Sequence, residues 1–303
     1  MSEKTKRFYL LYLLTVPVLA IATVTLRSVA LLTGYDEAIG FYATPSLAVA
    51  TAALLLGVAA LLAISTHELR GLFVFSVDYR DLPTLFSGSY LGLVLPFFAV
   101  TLVLGAIPMA PLTMVVAILT ALAAVIGAVL FAVRGFDGGA RGPRKAMLTL
   151  SLAFFPTLFV LYLSFEGSMM IYEPVKLLAT ATWLFATFFF LGEARIALDR
   201  PKWALHTYTT VMTAILAATL ALPNLLYHAV RGESLVGNTA HDFLALALLF
   251  YTVARLVAAF ASAARQEAPE MTYTTDFAAA AEESDRRATD TEERGTDEEA
   301  ADR

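Results

Sequence analysis

The stretch FYLLYLLTVPVLAIATVTLRSVALL, residues 8–32, decides how this chain folds. A helix needs about 20 predominantly apolar residues to cross the hydrocarbon core of a bilayer. This stretch exceeds that length and carries one charge, Arg27. Its basic start and the Ala20-Ile21-Ala22 triplet loosely fit a cleavable leader. The apolar run continues to Leu32, however, which is too long for a leader's hydrophobic core, so a retained span is expected.

Working outward, seven further runs follow at 44–64, 90–107, 112–133, 146–165, 175–191, 203–228 and 243–262. They are rich in Ala and Leu and lack strict alternation, which favours helices over barrel strands. A hydrophobic content of 58% and a mean hydropathy of +0.71 exclude an ordinary soluble domain. The expected fold is therefore all-α: a polytopic transmembrane bundle of about eight helices spanning residues 1–265, with a disordered acidic tail at 266–303.

The cations between runs fall on alternate sides. Lys4, Lys6 and Arg7 precede the first run, and Arg70 and Arg80 follow the second. Arg134, Arg141, Arg144 and Lys145 follow the fourth, and Arg195, Arg200 and Lys202 lie around the end of the sixth. The other loops carry only Lys176 and Arg231. Positive residues accumulate on the cytoplasmic side, so both ends are expected there.

The tail has a different chemistry. It holds 13 of the 26 acidic residues and four arginines, a net −9, so the preceding 265 residues carry +4 and the −5 of the whole chain is a tail effect. With few large apolar residues after Phe277 it cannot offset ordering entropy, apart from a short helix around 277–287. It suits solubilisation, or a basic cytoplasmic partner. The other expected partner is the lipid bilayer; no nucleic acid and no cofactor is expected.

Ionisable residues inside spans are expensive and mark either structural locks or functional sites. Arg27 lies about five residues from the outer end of its span and is expected to turn inward, with Asp36 as leading partner and Asn224 or Glu166 next. Arg255 in the last span is expected to snorkel toward the cytoplasmic headgroups or to pack, and a bundle-facing role would need a buried partner, for which Glu193 is a candidate acid. In ALPNLLYH (221–228) Pro223 frees a carbonyl one turn earlier and should kink the helix, and Asn224, Tyr227 and His228 follow. With His241, Asp242, Glu166, Glu173 and Lys176 they gather at the outer level, as groups that could line an outward-facing vestibule or simply as polar helix ends.

Catalytic signatures are incomplete. His67-Glu68 opens like a zinc-protease helix, but Gly71 stands where the second His is needed. GSYLG (88–92) has its serine misplaced for a nucleophile elbow, and RGFDGGARGPRK (134–145) matches no phosphate loop. His228, His241 and Asp242 have no recognised metal-ligand spacing. With no cysteine there are neither disulfides nor thiolate chemistry. The inner loop 65–88 reads as a headgroup-level element. Ala53 and Gly57, and Ala124, Ala128 and Ala132, read as small-residue packing faces. WLFATFFF (183–190) reads as lipid-facing or groove-filling.

RSVALLTGYDEAIGFY (27–42), together with ALPNLLYH and a last span holding Tyr251 and Arg255, resembles uncharacterised multi-span membrane proteins of clostridial bacteria. That resemblance implies a bacterial inner-membrane setting and no activity. On these features a small-solute transporter or channel leads. A non-transporting scaffold, sensor or accessory subunit is the alternative, and an intramembrane enzyme comes third.

Overall fold

The structure is a computed structural model. It describes residues 3–36, 40–43, 45–68, 81–136, 143–167, 173–198, 200–232, 235 and 239–265. The acidic tail with its 277–287 segment, Glu37, and the cationic stretches 69–80 and 137–142 lie outside the described residues.

Eight helices carry the described chain: α1 (Glu3–Gly34), α2 (Pro45–Glu68), α3 (Leu82–Ala106), α4 (Pro111–Phe136), α5 (Pro143–Phe165), α6 (Pro174–Ala197), α7 (Trp203–Arg231) and α8 (Thr239–Arg265). Each contains a segment long and apolar enough to cross a membrane. Their surface fits that solvent. Leu56, Phe86 and Leu93 are 72%, 70% and 73% exposed, apolar side chains that water would penalise and lipid accepts. An even number of spans brings both ends of the bundle to one face, here called the terminal face; the other is the far face.

Two helices extend furthest beyond one end of their apolar runs. α3 starts at Leu82, not near 90, because Asp81 caps it: its Oδ2 accepts from the Thr84 backbone N–H at 3.2 Å and hydroxyl at 2.7 Å, and Pro83 follows in the first turn. The latter part of the supposed headgroup loop is therefore helix. α6 continues through Glu193 to Ala197, because that glutamate is paired inside the protein (below).

Helices α3, α4, α5, α6 and α7 are neighbours in chain order, and α1 and α2 lean on α7. α8 reaches α3, α4 and α6 through long side chains: Phe250 meets Tyr90, and Tyr251 meets Phe131, Phe189 and Phe190. α7 is the most enclosed helix and α2 the least. The composition of α7 explains its place. Its Thr209, Thr210 and Thr213 hydroxyls donate to carbonyls of their own helix, so the polar atoms are satisfied without neighbours, while alanines let other helices approach.

Two packing expectations are corrected. Ala53 and Gly57 are exposed, and α2 instead buries Thr51, Val58, Leu62 and Thr66. A helix held at one flank buries the stripe that faces its neighbour, whatever small residues lie elsewhere. On α4, Ala124 is buried and Ala128 packs near Gly92 of α3, but Ala132 is exposed. In α6, Trp183, Phe189 and Phe190 are buried, while Leu184 and Phe188 face outward. Helical periodicity divides that aromatic run between core and lipid.

Between α1 and α2 the chain forms a small hairpin that the sequence does not advertise. β1 (Tyr35–Asp36) pairs antiparallel with β2 (Phe41–Tyr42), with Tyr35 opposite Tyr42. Gly40 has φ +69°, and a Cβ there would lie 3.2 Å from the Glu173 carboxyl carbon, so both conformation and space call for glycine.

Candidate functional site

Two buried charged centres sit at opposite ends of the α6–α7–α8 core. The far-face centre begins with a proline. Pro223 has no N–H, so the Thr219 carbonyl four residues earlier lacks its helical donor. Arg27 of α1 takes that carbonyl with Nη1 at 2.5 Å, and reaches the Leu220 carbonyl at 3.1 Å. Thr23 and Thr219 hydroxyls meet 2.9 Å apart one turn below, fixing the register of α1 on α7.

Arg27 Nη2 also donates to Asn224 Oδ1 at 2.8 Å, and Asn224 Nδ2 donates to Asp242 Oδ1 of α8 at 2.8 Å. The amide thus stands between a cation and an anion, with its oxygen toward one and its nitrogen toward the other. Next along α8, His241 Nδ1 lies 3.7 Å from Asp242 Oδ1, and its Nε2 accepts from the Trp183 indole of α6 at 3.0 Å. Arg27, Asn224, His241 and Asp242 are at most 3% exposed.

Arg27 therefore turns inward onto carbonyls, as expected, but its leading partner is corrected. Asp36 is exposed on β1, because strand alternation turns Tyr35 inward and Asp36 outward. Tyr35 donates to Glu173 Oε1 at 2.8 Å and packs edge-on against Tyr227. Burial first, then the hydrogen bond to the Glu173 carboxylate, pushes the Tyr35 phenol well above its ordinary pKa. Burial also raises Tyr42, opposed by the nearby Arg27 guanidinium. The hairpin is thus tied to the first residues of α6 as well as to α1.

Glu166 belongs to a neighbouring contact instead. Lys176 Nζ donates to the Glu166 carbonyl at 2.6 Å and lies 3.9 Å from its Oε2, joining the ends of α5 and α6. His228, half-buried near the end of α7, stands outside the Asn224 cluster, and its Nδ1 is buried without a hydrogen-bond partner. Among the described residues no group of three or more His, Cys, Asp or Glu side chains is arranged to hold a metal.

The second centre lies toward the terminal face, and there the expected snorkelling of Arg255 is corrected: the side chain is buried, because Glu193 offers its guanidinium a carboxylate inside the bundle. Arg255 Nε and Nη2 donate to Glu193 Oε1 at 3.1 and 3.0 Å, and Nη2 also reaches Oε2 at 3.0 Å. This is the guanidinium fork that suits a carboxylate. His206 of α7 completes it, with Nε2 3.2 Å from Glu193 Oε1. His206 stacks on Phe189 and passes over Gly192, where a Cβ would lie 2.5 Å from Nδ1. Sequence reasoning passed over His206. The available signal was Gly192 beside Glu193 in an otherwise bulky helix, which marks a close approach. It also passed over Trp183 as the donor to His241.

Between the centres the interior is aromatic and aliphatic: Trp183, Leu244, Leu248, Tyr251, Phe189 and Phe190 are buried there. A lateral groove of about 500 Å³ between α3 and α8, walled by Phe86, Tyr90, Phe250 and Val257, is almost wholly apolar. Apart from half-buried His228, the polar residues expected around a vestibule are buried in this conformation. Compared with known protein families, curated proteins and solved structures, the chain has no significant match.

Proposed function

We propose that this multi-pass membrane protein carries a small polar solute across the cell membrane, with both termini cytoplasmic and the cluster around Asn224 as its outward-side polar site. One observation carries the reading: four separate helices, α1, α6, α7 and α8, deliver Arg27, Trp183, Asn224, His241 and Asp242 to one buried polar network. Ionisable groups at such depth are costly, and they concentrate where solutes or ions pass. α7 carries Pro223 at the network itself, a natural place for the helix to bend. The hairpin closes the far side of the network in the conformation described, so entry requires it and the end of α7 to move. The distribution of loop cations supports the orientation, and the resemblance in the loop 27–42 supports a bacterial setting.

The test is uptake by proteoliposomes offered labelled neutral, anionic and cationic small solutes. Uptake above protein-free vesicles for one class, lost in Asn224→Leu protein inserted at equal density, is the expected result. No uptake in any class would sink the reading. Because the chain lacks cysteine, Gly34→Cys and Leu198→Cys give a clean orientation test: only the first should react with an impermeant reagent outside the cell.

A scaffold or accessory-subunit reading has its own observation, the aromatic layer that separates the two centres. It predicts no flux and a stable complex with a second membrane protein on native gels.

A further inference from the structure

The two centres supply their carboxylates unequally. Glu193 receives three hydrogen bonds from Arg255 and has the His206 imidazole beside it. Asp242 is fully buried, yet it receives one neutral hydrogen bond, from Asn224 to Oδ1, while its Oδ2 has no hydrogen-bond partner. A buried carboxylate oxygen left unsatisfied is costly, and such a group is retained where it has a use.

The neighbouring imidazole is equally constrained. An indole N–H can only donate, so His241 Nε2 must accept from Trp183, and neutral His241 then holds its proton on Nδ1. That Nδ1 is buried without a hydrogen-bond partner, 3.7 Å from Asp242 Oδ1. A buried donor and a buried acceptor therefore stand side by side at residues 241 and 242, neither satisfied.

We infer that Asp242, with His241 beside it, is a proton-binding site held shut by the Arg27–Asn224 bridge, and that protonation opens the far side of the bundle. The word opening rests on the transport reading; the proton site does not. The groups facing Asp242 and His241 are Arg27 from α1, Trp183 from α6, Asn224 from α7 and the Phe159 ring from α5, with the phenols of Tyr35 and Tyr42 near Arg27. Of these the single full charge is Arg27, and it acts through the Asn224 amide.

In the closed arrangement Arg27 balances ionised Asp242. A proton from the far-side water adds to Oδ2: one O–H bond forms, no other covalent bond changes, and the cluster goes from neutral to +1. The neutral carboxyl no longer needs the amide, so α1 and the part of α7 beyond Pro223 are free to part from α8. The reverse order also holds. If α7 bends away first, Asp242 loses the amide and Arg27 together, and a bare carboxylate in low dielectric takes a proton instead of staying charged.

The experiment is an infrared pH titration of the full chain in lipid nanodiscs, with aspartate labelled at the side-chain carboxyl with carbon-13. The chain has eleven aspartates, so the Asp242 band is read as the isotope-shifted carboxylic acid component that grows as pH falls in wild type and is missing from Asp242→Asn. Asp242→Glu keeps a carboxyl at the site but not the label, so it should also lose that component even if the asparagine variant inserts poorly. In Asn224→Leu the same band should appear at a higher pH, because the bridge is gone. An identical shifted band in all four proteins, or an unmoved midpoint in Asn224→Leu, overturns the proposal. Flux in proteoliposomes is read separately. Flux without an Asp242 band defeats the proton site and leaves transport standing, whereas an Asp242 band without flux supports the proton site and defeats transport.

Discussion

The two charged centres solve the same problem, an arginine and a carboxylate inside a membrane-spanning bundle, in different ways. At the terminal face Arg255 grips Glu193 directly, and α6, α7 and α8 meet at one rigid fork. At the far face Arg27 and Asp242 are held apart by an amide, and half of the guanidinium is spent on the Thr219 carbonyl left bare by Pro223 and on its neighbour at Leu220. A direct fork has one good geometry. A bridge through a neutral side chain has weaker links that part without separating bare opposite charges. The terminal face is thus the fixed end of the bundle, and the far face is the end built to change.

A large effect should come from breaking the fixed end by halves. Glu193→Gln leaves Arg255 buried beside a neutral amide, and removing one partner of a buried pair typically costs about 3–5 kcal/mol. Replacing both, as Glu193→Met with Arg255→Met, removes the charges together and should recover most of that loss. Unfolding of the purified variants in denaturing detergent would show it. Equal losses in single and double variants would mean the fork is not the clamp proposed.

The same treatment of the far face should cost a comparable amount, about 2–6 kcal/mol in all. Asn224→Leu strands Arg27 Nη2 and Asp242 Oδ1, each short of one hydrogen bond, and buried polar groups so left cost about 1–3 kcal/mol apiece. The loss should, however, be local. Hydrogen exchange should rise at the far ends of α1, α7 and α8 and stay unchanged around Glu193. Uniform loosening of the whole bundle would erase the contrast between the two ends.

The sequence showed the spans plainly, because about 20 apolar residues have few other uses in a chain of this composition. It also held both halves of the Arg27 contact: a cation needing an acceptor, and a proline that releases one. Naming Asp36 failed for a geometric reason. Proximity along the chain pointed to the adjacent loop, but the hairpin alternates its side chains, and the aspartate is the residue turned away. Glu193 was legible as a possible acid for Arg255, both lying near the same membrane level, but the long arginine stem favoured snorkelling, which the buried fork overturns. His206 was not, since a histidine three residues into a helix reads as an interfacial group until Gly192 is seen beneath it. The small-residue motif of α2 misled because it records where helices can approach, not which neighbour is present.

The smallest expected effect concerns the hairpin that covers the far centre. Tyr35→Phe removes one hydrogen bond, to Glu173, from a half-buried phenol, worth about 0.5–1.5 kcal/mol. Its pH dependence is more telling than its size. Tyr35 must be neutral to donate, and folding raises its pKa above the ordinary value of 10.0. Below that value both folded and unfolded chains hold the proton, so the bond's contribution is complete and constant. As pH rises past it, the unfolded chain ionises first, and stability falls until the folded pKa is reached. Wild type should therefore lose stability between about pH 9 and pH 11 by more than Tyr35→Phe does, the other tyrosines contributing equally to both. Parallel curves for the two proteins would mean that the phenol does not fasten the hairpin, and that the far face is held by the Asn224 bridge alone.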